Sequence, residues 1–232
     1  MRRAIAQTIL ITTLLSLSWD GFSTAKLALA QSAAQYRESG IAYRDQGQMM
    51  EAIAALQKAV ELEPDYIPGY VNLGWTLHLA GQDREAADVL QTAIQRDPFH
   101  VQTFNAIGII YLVNNDLAGA VLAHNWAKFL KPDNEIAHYN LSLAYQRVGE
   151  FDWAIEAATQ AAALEPENPH PLVALAIAHW DEGDQAAAQH VYQQAIDLDS
   201  RYADSGFLDY LNEAGFSPDQ IEKSKQVLRS FA

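Results

Sequence analysis

The chain has no cysteine among its 232 residues, and that absence removes whole classes of chemistry. There can be no disulfide framework, thiolate zinc site, iron–sulfur cluster or cysteine nucleophile, so stability has to come from packing. Positive charge is also scarce: 15 Lys and Arg stand against 29 Asp and Glu, a net charge of -14. Affinity for nucleic acid comes mainly from neutralising phosphates with basic side chains, so a nucleic-acid partner is not expected, and an anionic membrane surface is disfavoured on the same ground. Catalytic motifs are missing too. No G-x-x-x-x-G-K, G-x-S-x-G or H-E-x-x-H occurs, and no two of the seven histidines share a helix face within one turn. The acidic pairs Glu61 and Glu63, Glu165 and Glu167, and Asp197 and Asp199 lack the 12-residue loop of a dedicated calcium site and read as solvated helix ends. The expectation is a protein that is not an enzyme and that uses no cofactor or metal.

What the chain does have is apolar material, half of its residues, which is enough to build a core. It opens on Arg2 and Arg3, an apolar stretch from Ala4 to Trp19, a polar patch and then Ala28-Leu29-Ala30. This is the anatomy of a secretory signal peptide with a small-residue cleavage site, and it predicts a mature chain starting at Gln31, with Ser23-Thr24-Ala25 as a second site. The apolar stretch is interrupted by Gln7, Thr8, Thr12 and Thr13 and falls short of the ~20 residues of a spanning helix, although a retained anchor stays open as the alternative. Cleavage would delete Arg2, Arg3 and Lys26 against Asp20 alone, taking the net charge from -14 to -16. The expected location is extracytoplasmic: periplasm, the lumen of an internal membrane system, or outside the cell.

The rest of the chain repeats every 34 residues. Pro64, Pro98, Pro132 and Pro166 keep that spacing. Two columns are pure alanine: Ala52, Ala86, Ala120, Ala154 and Ala188, and Ala59, Ala93, Ala127, Ala161 and Ala195. A third reads Gly40, Gly74, Gly108, Ser142 and Ala176, and a fourth Gly47, Gly81, Asn115, Gly149 and Gly183. A period of this length is the signature of a repeat architecture. Apolar residues at helical spacing, such as Tyr70, Leu73 and Leu77 and then Ala86, Leu90 and Ala93, predict two helices per unit. Small residues let the two approach closely, the Gly47 column supplies a left-handed turn between them, and the prolines stop the second helix. Ser32 with Gln35 predicts a capping box that opens the first helix.

In the second unit the run Tyr70, Leu73, Gly74, Leu77, Ala86, Leu90, Ala93 and Pro98 resembles the tetratricopeptide repeat motif. The resemblance implies an all-α fold, a right-handed solenoid of five helix pairs (33–66, 67–100, 101–134, 135–168 and 169–202) with a concave groove lined by the first helices. Residues 203–232, where the register fades, read as a degenerate capping unit. Ser217-Pro218-Asp219-Gln220 predicts the start of its last helix. His124 and Ala158 depart from the motif, standing where a large apolar residue belongs; His124 reads as a buried, hydrogen-bonded histidine.

The same resemblance implies which side chains face the groove. It places Arg37 and Arg44, Val71, Trp75 and His78, Asn105, Tyr139, and Trp180 there, an apolar and aromatic lining with one basic pair. Aromatic residues dominate binding hot spots, so Trp75, Tyr139 and Trp180 are the expected anchors for an extended or helical segment of another protein, with Arg37 and Arg44 holding its acidic end. The carboxylate clamp with which some members hold chaperone tails is lacking: Asn72 fits, but Ile41 and Ala106 occupy clamp positions. The alternative is a self-associating structural protein, a possible homodimer, in which the degenerate end or the outer Trp126 and Trp153 pair two solenoids.

Overall fold

The computed structural model describes residue 27 and residues 29–231. Arg2, Arg3, the stretch Ala4–Trp19 and Ser23-Thr24-Ala25 lie outside the described residues. Eleven α-helices follow one another, with no strand among the described residues: α1 (29–45), α2 (Met49–Leu62), α3 (Ile67–Leu79), α4 (Asp83–Arg96), α5 (Val101–Val113), α6 (Leu117–Leu130), α7 (Glu135–Val148), α8 (Phe151–Leu164), α9 (Pro169–Glu182), α10 (Gln185–Leu198) and α11 (Pro218–Arg229). Between α10 and α11 the chain winds through two 3-10 segments, Ser200–Ala203 and Phe207–Ala214. The chain forms two compact units, Met1–Gln82 and Asp83–Ala232, so the division falls between α3 and α4, inside one sequence repeat.

The columns of the sequence explain the helix pairs. Every alanine of the two alanine columns is at most 1% exposed. Opposite them the glycine column makes room for a large residue of the second helix: a Cβ at Gly40 would sit 2.6 Å from Leu56 Cγ, and one at Gly108 would sit 2.5 Å from His124 Nε2. Any side chain at these glycines would overpack the pair, at a cost of about 1–3 kcal/mol. The turn column takes the left-handed conformation at all five positions. Asn115 (φ 62°) is its one member other than glycine, and Asn is the side chain that tolerates this region best.

In the C-terminal unit α5 packs on α6, α7 on α8 and α9 on α10, and each second helix also packs on the following first helix. Asp116, Asn134, Asn168, Asp184 and Ser217 cap α6, α7, α9, α10 and α11 by accepting a backbone N–H. The predicted start of the last helix is present in full, with Ser217 and Gln220 bonding reciprocally and Pro218 in the first turn. In the N-terminal unit α2 and α3 start at Gln48 and Tyr66 without any side-chain cap.

Two expectations need correction. Ser32 and Gln35 do not open α1, because the helix already includes residues 29–31. Leu29, Ala30 and Gln31 are good helix formers, so nothing stops the helix upstream of the serine. His124 is buried but not hydrogen-bonded: neither ring nitrogen has a partner, although the ring lies against the backbone of Gly108. Burial pushes its pKa down to about 3, against a small opposing pull from that backbone.

Candidate functional site

The first helices α5, α7 and α9 present one row of side chains in the C-terminal unit, and the end of the chain lies across it. Helix α11 packs on α9 and α10. Gln220, at 1% exposure, donates to the carbonyl of Leu143 at 3.1 Å and to Gln146 Oε1 at 2.8 Å, so it holds α11 to α7. Gln146 in turn donates to Asp181 at 2.5 Å, and Asp181 is ion-paired with Lys223 of α11. Phe216 is 2% exposed, with its ring 6.3 Å from that of Tyr139. The result is that Leu143, Val173 and Ile177, all in the first-helix row, have no exposed surface.

Tyr139 is therefore engaged by its own chain. Its hydroxyl donates to the carbonyl of Ala214 at 2.6 Å, and its ring lies 6.4 Å from that of His170 and 6.3 Å from that of Phe216. Burial, and behind it Tyr202 and Glu165, raises its pKa well above the ordinary tyrosine value. The expectation of a free anchor at Tyr139 is corrected on that ground. Trp180 is half-buried and, like Leu228 of α11, packs against the buried core of the unit. Asn105 also has a different part: its side chain and that of Asn134 exchange two hydrogen bonds of 3.2 and 3.0 Å, while Asn134 Oδ1 also caps α7. This buried amide pair fixes α5 to the start of α7, so Asn105 serves the fold.

Beneath the start of α11 is a polar cleft of about 430 Å³ lined by Asn115, Gln146, Arg147, Asp181, Asp219 and Lys223 among others. Arg147 donates to the carbonyl of Leu112 at 2.9 Å and to Asn115 Oδ1 at 2.7 Å, tying α7 to the α5–α6 turn. Burial lowers its pKa, and Asp219 partly offsets this. Asp181 and Lys223 form the ion pair of the cleft. Among the described residues no group of three or more His, Asp or Glu could hold a metal ion.

In the N-terminal unit Val71, Trp75 and His78 lie on α3, each half-buried, with the Trp75 and His78 rings 5.2 Å apart. Arg37 is pinned to Glu63 at 2.6 Å and stacks over the Tyr66 ring at 4.1 Å, so its charge is already answered within the unit. Arg44 is half-buried, and among the described residues its ion-pair contact is a loose one, 3.6 Å, with its neighbour Asp45.

Family models described as "TPR repeat" and "Tetratricopeptide repeat" match residues 40–81, 67–100, 136–168 and 170–202, together more than half of the chain. The chain belongs to the tetratricopeptide-repeat family. Solved structures of similar fold include MamA from Desulfovibrio magneticus RS-1 (TM-score 0.67, 21% identity, covering 73% of this chain and 96% of that one). Another is YrrB, described as a TPR protein with an unusual peptide-binding site (TM-score 0.62, 17% identity, 77% and 92%). At these identities the likeness shows the fold, an α-solenoid of helix pairs. Protein FlbA of Caulobacter vibrioides is 29% identical over 115 residues, which is 50% of this chain and 19% of FlbA, so the chain spans about a fifth of that relative. The tetratricopeptide framework is that of a protein-interaction scaffold. Its columns were legible in the sequence, but Gln220, Lys223 and Arg147 were missed, because their contacts join segments 32 to 77 residues apart and follow no period.

Proposed function

We propose that this tetratricopeptide protein is an exported scaffold that holds a segment of another protein against its first helices. The observation that carries the reading is the docked end of the chain: the first-helix row of the C-terminal unit already holds a polypeptide segment, partly through contacts to main-chain carbonyls at Leu143 and Ala214. A row that takes one amphipathic segment in this way is suited to another. With Tyr139 engaged internally, Val71, Trp75 and His78 of the N-terminal unit are the contact residues for a partner, and Arg44 is the basic side chain left to meet its acidic end. Replacing Trp75 with Ala should cost about 2 kcal/mol, roughly 30-fold in affinity. Affinity capture from the source organism tests this: Trp75→Ala should lose the partner with helicity intact, and full retention would sink the reading. Export is tested by sequencing the N-terminus of the natural protein, which should begin at Gln31.

A second reading, self-association, is favoured by one observation: the outer surface of α6 carries exposed aromatic side chains.

A further inference from the structure

The second helices of the repeats have different surfaces. Helices α2, α4, α8 and α10 each carry Asp or Glu, whereas the run Leu117–Pro132, which contains α6, has none and holds Lys128 and Lys131. In a chain of net charge -14 this is where a second copy would meet the least repulsion. The same helix exposes large apolar groups at i, i+4 and i+7: Leu122 is 74% exposed, Trp126 41% and Phe129 72%. Trp126 lies 5.5 Å from the Phe129 ring and 6.1 Å from that of Phe104, and its indole N–H is already satisfied by the Pro98 carbonyl at 3.0 Å. The patch therefore meets a partner as apolar surface.

Beside these projecting groups is an apolar hollow of about 320 Å³ between α4, α5 and α6, bounded by Phe104, Ile107, Tyr111 and Leu122, with Asp116 at its edge. A two-fold interface requires one patch to be complementary to itself. This patch has both halves, a projecting phenyl ring at the C-terminal end of α6 and a hollow at the N-terminal end. Its charges follow the same polarity. Asp116 stands at the N-terminus of α6, while Lys128 and Lys131, the latter 3.5 Å from Glu135, stand at the C-terminal end. Two α6 helices running antiparallel would seat Phe129 of each copy in the hollow of the other and set the lysine end of each over Asp116 of the other.

We infer that the α6 face is the site at which two copies of this chain associate, antiparallel about a two-fold axis near the middle of the helix. The inference rests on the self-association reading. Its failure leaves the first-helix reading untouched.

The test uses the full chain, in which any introduced thiol is unique. Sedimentation of the wild type over a range of concentrations should show a reversible dimer, and Phe129→Glu should raise its dissociation constant at least tenfold without changing helicity. Lys131→Gln and Asp116→Asn, the second of which keeps the helix cap, should each weaken the dimer several-fold. Together they should weaken it by little more than either alone. Leu122→Cys should be joined to its own copy by a short bis-maleimide, whereas Gln193→Cys on α10 should not. A dimer that cross-links no better through Leu122→Cys than through Gln193→Cys overturns the α6 contact alone. A wild type that stays monomeric overturns self-association with it, and a monomer that binds anionic vesicles through Phe129 assigns the face to lipid and overturns the proposal as well.

Discussion

The two units use the same repeat but treat its first helices differently. In the C-terminal unit the row is closed: Leu143, Val173 and Ile177 are fully buried and Tyr139 bonds to Ala214. In the N-terminal unit Val71 and Trp75, which stand at the repeat positions of Val173 and of Leu143 and Ile177, are half-buried. Whether a groove position is free is thus not a property of the repeat motif. It depends on whether the chain has a further segment to lay over it.

The contrast can be broken most strongly at Phe216. Phe216→Ala should destabilise the C-terminal unit by about 3–5 kcal/mol and leave the N-terminal unit unchanged, as read by hydrogen exchange of α9 against that of α2.

The next largest effect is an acid one. His124 keeps a pKa of about 3 in the folded chain, while its unfolded value lies near 6.5, so below pH 6.5 only the unfolded chain takes up the proton. Its contribution to stability should be unchanged above pH 6.5 and fall by about 1.4 kcal/mol per unit as the pH drops from there towards 3. Urea denaturation at stepped pH should show this slope, and His124→Leu, which restores the residue found at Leu56 and Leu90, should remove it. A slope of the same size in the Leu variant would place the acid sensitivity elsewhere.

Asn105→Ala should cost about 1–3 kcal/mol by stranding the buried Asn134 amide. Tyr139→Phe, which deletes the hydroxyl but keeps the ring, should cost about 1 kcal/mol and speed proteolysis within residues 203–231 more than elsewhere. An unchanged cleavage rate there would show that the hydrogen bond to Ala214 does not hold the segment down.

Much of the fold could be read directly because its causes are local and periodic. The alanine columns report helix contacts, and the Gly47 column reports a backbone conformation that few residues other than glycine adopt. Ser217 and Gln220 were readable for the same reason, being three residues apart. Ser32 and Gln35 have the same spacing and failed, because a capping box opens a helix only where the residues before it do not already form one. The site was less legible. Asn105 meets Asn134 across 29 residues and Tyr139 meets Ala214 across 75, and no column of the repeat encodes either contact. His124 was visible as a departure from its column, but only the structure showed that no partner accompanies it.

The docked end of the chain also fixes an order of events. Residues 214–223, which close the first-helix row, are made after every helix of that row, so until they emerge Tyr139, Leu143 and Ile177 belong to a face that this segment does not cover. The C-terminal unit can therefore complete its folding only after these residues have emerged, and until then that face has to be shielded by something else.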